Sequence, residues 1–133
     1  MYLSYEPGNN IYVPEPYERV LTPYLTTENA PCPLSFSVHL CEWEPGRKND
    51  LHTHADATEA MFVLSGSGTA LCGGETVSLN PGGLLVAPPG EAHVIENTGT
   101  ENLRLLCIFS PPVSAESLRE RAALAHAELE TQR

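Results

Sequence analysis

The sequence predicts an all-β sandwich or barrel followed by one C-terminal α-helix, and three observations lead there. Short runs with a period of two recur at regular spacing between residues 35 and 112. Turn residues punctuate them, as in Pro45-Gly46, Gly66-Ser67-Gly68, Pro81-Gly82-Gly83 and Pro88-Pro89-Gly90, with no helical stretch between. Past Pro111-Pro112 the period lengthens, and Leu118, Ala122, Ala125 and Leu129 recur at helical spacing. A chain of 133 residues is one domain's worth of material and can bury a core without disulfide staples.

Residues 1–34 form a Pro/Tyr-rich N-terminal arm that holds all five tyrosines and six of the twelve prolines. Proline offers no backbone N–H, so the arm is expected to contain no central strand and no long helix, only a short strand near residues 11–13. Its expected task is to cover an exposed sheet edge of its own subunit or a partner's. The alternative is that a tyrosine, apolar in body and polar at its tip, reaches the active site. Residues 35–112 form the barrel, with strands expected at 35–40, 60–64, 69–72, 76–79, 84–87, 92–96 and 102–109. Residues 113–133 form the helix, with Ser114 as N-cap and Glu116 in the first turn, where the helix dipole favours an anion. This helix should lie across the barrel or onto a neighbour, and His126 should face solvent.

Composition narrows the function classes. With 41% hydrophobic and 18% charged residues the chain should fold rather than stay disordered. The formal charge of −10 disfavours nucleic acid and anionic membrane surfaces, and the seven Lys and Arg form no basic stripe. No apolar run approaches a membrane span, and the N-terminal residues do not have the pattern of a secretory leader, so a cytoplasmic location is expected. Cys32, Cys41, Cys72 and Cys107 lie far apart without a C-x-x-C pair, and are expected to be small buried hydrophobes.

The chemistry concentrates between Gly46 and Asn97. On an extended strand His52 and His54, two apart, would turn both imidazoles to one face. Glu59 follows a four-residue loop and opens the next strand, and His93 heads another just past Pro88-Pro89-Gly90. Three imidazoles and a carboxylate converging in a barrel would suit a divalent transition ion. A lone H-x-H pair often arises by chance, and a strand histidine is usually a satisfied side chain. Against that, two inward imidazoles beside a carboxylate are costly to bury without a metal or another charge partner. Two rival motifs fail. Ala57 stands where binuclear zinc hydrolases need a histidine, and Gly66-Ser67-Gly68 lacks the third glycine of a dinucleotide fingerprint.

Residues 46–66 fit G-x5-H-x-H-x3,4-E-x6-G at every fixed position, and residues 82–97 fit G-x5-P-x-G-x2-H-x3-N. These are the two cupin motifs, in order and fifteen residues apart, so the chain resembles a small single-domain cupin. The resemblance implies a double-stranded β-helix, or jelly-roll, barrel and a homodimer. It also implies a metal site of His52, His54, Glu59 and His93 holding Mn, Fe, Ni, Co, Cu or Zn. Four ligands on a six-coordinate ion would leave two positions open, and a centre of about +1 net charge should attract a carboxylate or a vicinal-oxygen compound. The function this suggests is a metal-dependent enzyme on a small oxygenated metabolite, of oxygenase, isomerase, decarboxylase or lyase type. The alternative is a non-catalytic small-molecule binding or sensor module.

Strand alternation adds wall residues to the site. Met61 and Val63 should face inward with Glu59, and Ile95 with His93. His39 is the candidate acid–base group, unless it serves packing or faces out; the sequence leaves open which face of residues 35–43 looks inward. Asn97 is expected to brace the loop after its strand rather than touch a metal.

Overall fold

A computed structural model describes residues 1–132 of the chain, with side-chain surroundings through residue 124. After a 3₁₀ turn at Pro7–Asn9 come β1 (Ile11–Val13), β2 (Arg19–Leu25), β3 (Ser37–Trp43), β4 (Thr58–Ser65), β5 (Gly68–Cys72), β6 (Glu75–Leu79), β7 (Leu84–Ala87), β8 (His93–Glu96) and β9 (Leu103–Ser110). The helix α1 spans Ala115–Gln132. The strands form a six-stranded sheet of order β1-β2-β3-β9-β4-β7 and a three-stranded sheet of order β6-β5-β8. Every pairing is antiparallel.

Period-two patterning decides which side chains enter the core. On β9, Leu103, Leu105, Cys107 and Phe109 are almost wholly buried, while Arg104, Leu106 and Ile108 lie on the other face. Met61 and Val63 on β4 and Ile95 on β8 face inward as expected. Burying each large apolar side chain stabilises the fold by roughly 1.5–3 kcal/mol. On β3 the inward set is Ser37, His39, Cys41 and Trp43, which settles the parity that alternation alone left open.

The proline-rich arm departs from expectation. The short strand β1 is present, but residues 19–25 form a second strand, β2, inside the sheet between β1 and β3. Pro23 is accommodated because the β2–β3 register shifts between Pro23 and Leu25, a bulge that relieves the ladder where the N–H is missing. The arm thus covers the β3 edge of its own sheet.

Helix α1 begins where Ser114 Oγ accepts a hydrogen bond from the Ser117 N–H at 2.9 Å. The Glu28 carboxylate accepts the Ala115 and Glu116 N–H groups at 2.8 and 3.2 Å. These bonds pull the Glu28 pKa down to about 2. Leu118 and Ala122 then join the core beside Ile11, Val13 and Leu21, so the helix lies across the barrel. Ala125, Leu129 and His126 lie outside the residues whose surroundings are described. Among the described residues no helix is long and apolar enough to cross a membrane.

Candidate metal centre

The two sheets meet at the segment between β3 and β4, which runs beside β8 without becoming a strand. Lys48 and His52 each form an isolated bridge, to Glu96 and His93. The His52 N–H donates to the His93 carbonyl at 3.2 Å, and the His93 N–H returns to the His52 carbonyl at 3.0 Å. Asn49, nearly fully buried, fixes the segment further: its Oδ1 accepts the Ile95 N–H at 2.7 Å. The expectation of a strand carrying His52 and His54 is therefore corrected. Asn49 and the His52–His93 bridge hold the pair, and both rings still converge, with centroids 4.8 Å apart.

Two turns complete the presentation. Gly66 (φ 81°) closes the tight turn after β4, where a Cβ would collide with the Asn102 carbonyl. Gly90 (φ 82°) sits in the turn before His93, and its N–H donates to the His54 carbonyl at 2.9 Å. Asn97 braces the far end of β8, with Nδ2 donating to the Trp43 and Glu101 carbonyls at 2.9 and 2.8 Å and Oδ1 accepting the Gly99 N–H at 3.0 Å. It is part of the scaffold, as expected.

One ligand atom from each of His52, His54, Glu59 and His93 falls within a common radius, all lying within 4.8 Å of one another. Glu59 Oε1 is 3.1 Å from His93 Nε2 and 3.5 Å from His54 Nε2. His52 Nδ1 lies 2.8 Å from the Asp50 carbonyl and His93 Nδ1 lies 3.0 Å from that of Glu91. A carbonyl oxygen accepts only, so each Nδ1 carries the proton and each Nε2 is the nitrogen left for coordination. His54 Nε2 is buried without a hydrogen-bond partner. Oriented rings, an orphaned buried nitrogen and a buried carboxylate fit a divalent ion.

Burial, working against the imidazolium, takes His52 down to about 4, with His93 and Arg121 adding to the shift. Burial would lift Glu59, but the His54 and His93 imidazoles that face its carboxylate hold it below the usual carboxylate range. Burial likewise opposes a charged His93, yet Glu59 and the Glu91 carbonyl raise its pKa. A cation bound here would take the place of the 3.1 Å contact between His93 Nε2 and Glu59 Oε1.

His39 faces the same interior. It is 3% exposed, its Nδ1 has no partner, and its ring stacks on Phe109 at 5.6 Å. One ligand atom each from His39, Glu59 and Cys107 also lie within 4.8 Å of one another. Cys41 is pushed up to about 12 and Cys107 well above its ordinary value, both mainly by burial, so the two thiols stay neutral. Cys41, Cys72 and Cys107 are the buried hydrophobes expected; Cys32 is exposed instead.

A cavity of about 20 Å³ lies inside the barrel, lined in part by His39, His52, Glu59, Arg19, Arg121 and Trp43. None of the arm's tyrosines lines it; Tyr2 and Tyr24 border a separate surface cavity of about 640 Å³ with Arg119 and Asn29. Sequence reasoning missed both arginines. Arg121 stands three residues after Leu118 and one before Ala122, a charge within the apolar stripe. Arg19 shares the inward parity of Leu21 on β2 and is 6% exposed.

The cupin-domain family model matches residues 39–109. L-ectoine synthase of Alkalilimnicola ehrlichii is 31% identical over 83 residues, covering 61% of this chain and 61% of that protein. The oxalate-binding protein of Thermotoga maritima is 34% identical over 65 residues, 49% of this chain and 54% of that one. The chain therefore spans less than two thirds of the length of these relatives. The crystal structure of ectoine synthase from P. lautus superposes with a TM-score of 0.69 at 21% identity, covering 81% of this chain and 75% of that one, a likeness of fold. With more than half of its length matched by that model, and both motifs placed on a jelly-roll barrel, this chain is a member of the cupin family.

Proposed function

We propose that this chain is a metal-dependent enzyme acting on a small oxygenated metabolite, with His52, His54, Glu59 and His93 holding a divalent transition ion. The observation that carries the reading is the convergence of three imidazoles on one buried carboxylate at the junction of the two sheets. A bound ion would supply Lewis acidity toward a ligand oxygen. The chain's own residues do the rest. Met61 and Ile95 wall the cavity with apolar surface. His39, kept neutral because burial lowers its pKa to about 4, offers a nitrogen that can take or share a proton beside Glu59. Oxygenase, isomerase, decarboxylase and lyase chemistry all fit this arrangement.

A second reading, a non-catalytic binding module, is favoured by the small number of acid–base groups in the cavity and by the likeness to an oxalate-binding protein. We further propose a cytoplasmic homodimer. Phe62, Leu64, Leu84 and Val86 are exposed together on β4 and the edge strand β7, with Phe62 directly opposite Leu84.

Elemental analysis of purified wild type, His52→Ala and His93→Ala tests the metal reading. Stoichiometric metal in the wild type and none in the variants is expected, with loss of the thermal shift that added Mn²⁺ produces, since binding couples to folding. Equal metal in all three refutes it. A metabolite screen with and without oxygen then separates enzyme from binder.

A further inference from the structure

The cavity carries a positive charge that the metal ligands do not explain. The chain is strongly acidic and has only seven Lys and Arg, yet two of its guanidiniums line this cavity. Arg19 has partners: Nη1 donates to the Tyr17 carbonyl at 2.9 Å, and Nη2 lies 3.8 Å from Asp50. Arg121 makes no ion pair among the described residues. It reaches in from α1, with Cζ 5.8 Å from the centre of the Phe109 ring and Nη2 3.3 Å from His54 Nδ1. Trp43, 2% exposed, also lines this cavity, and its Nε1 is buried without a partner. A guanidinium without an ion pair and a tryptophan with an unmet indole N–H, from different elements, therefore border one cavity.

The Arg121–His54 contact has a chemical consequence. A guanidinium only donates, so His54 Nδ1 must accept, which places the ring proton on Nε2, the nitrogen facing Glu59. Coordination through that Nε2 requires the opposite tautomer, with the proton on Nδ1. Metal at Nε2 and Arg121 at Nδ1 therefore exclude each other. Loading the site releases Arg121 and leaves a guanidinium beside a second cation, an arrangement that an anion relieves. A cavity of about 20 Å³ admits about one water.

Building on the metal-site reading, we propose that Arg121 is the carboxylate-binding residue of this centre, exchanging His54 in the metal-free protein for the carboxylate of the ligand in the loaded one. The C-terminal helix thereby belongs to the site, and metal and carboxylate bind cooperatively through it. The fork of the guanidinium suits a carboxylate bidentately, which selects a small carboxylic acid over a neutral diol or catechol.

The test uses the full chain. Wild type, Arg121→Gln and Arg121→Lys are loaded with Mn²⁺, and binding of oxalate and of acetohydroxamic acid, which chelates a metal without a carboxylate, is followed by water-proton relaxation. Arg121→Gln should weaken oxalate at least about tenfold while acetohydroxamic acid changes less than about threefold, and Arg121→Lys should fall between for oxalate. Equal loss of both probes, or of neither, overturns the proposal while the metal site stands. Failure of the wild type to take up Mn²⁺ overturns the metal-site reading and this proposal with it. Nitrogen-15 NMR of the metal-free proteins is an independent readout, usable even if a variant loads metal poorly. His54 should carry its proton on Nε2 in the wild type and shift toward the Nδ1 form in Arg121→Gln; an unchanged tautomer refutes the exchange.

Discussion

His39 should make the metal-free protein acid-sensitive, by an amount the structure sets. Its ring stacks on Phe109 and shares the cavity wall with Glu59 of β4, Arg19 of β2 and Arg121 of α1, and the field of His54 in the connecting segment also reaches it. Burial dominates and lowers its pKa from 6.5 to about 4, with Glu59 opposing and the two arginines and His54 reinforcing. A histidine whose folded pKa is depressed binds its proton more readily unfolded. The stability from keeping it neutral is therefore complete above the unfolded pKa and is lost as pH falls from about 6.5 toward 4. For a single group with those two values the loss is roughly 2 kcal/mol at about pH 5 and negligible at about pH 7.5. His39→Leu removes the titration at similar volume. In EDTA-treated protein, urea unfolding followed through the single, buried Trp43 should show the variant close to wild type at about pH 7.5 and ahead by roughly 2 kcal/mol at about pH 5. His52, also depressed to about 4, titrates in both proteins and cancels in the comparison. Parallel pH profiles for the two proteins would show that His39 is not held neutral by burial, and its assignment as a proton-accepting group in the cavity would fall.

Two further outcomes are expected. Asn97→Ala removes three hydrogen bonds and leaves the buried Trp43 carbonyl without that donor, so the urea midpoint should drop by the equivalent of roughly 2–4 kcal/mol, with the metal still bound. A variant with Phe62→Glu and Leu84→Glu should sediment as a monomer where the wild type sediments as a dimer, with metal content unchanged.

Several features were legible in the sequence because they depend on neighbours along the chain. Alternation placed Met61, Val63 and Ile95 inward, since a strand's side-chain period is fixed by backbone geometry. Gly66 and Gly90 announced turns because few other residues accept a positive φ. Ser114 announced the helix start because a hydroxyl there can accept the Ser117 N–H. The strand β2 was hidden because Pro23 argues against a central strand locally, and only pairing with β3 through a shifted register overrides that.

The sequence by itself determined the barrel, its closing helix and the four side chains able to surround an ion, because each follows from a short-range pattern or from motif spacing. Tertiary structure alone decided which face of β3 looks inward, and hence that His39 meets Glu59. It alone carried Arg19 and Arg121 into the same cavity from elements about a hundred residues apart in the chain. Long-range packing sets such juxtapositions: the helix must bury Leu118 and Ala122, and doing so aims Arg121 at His54.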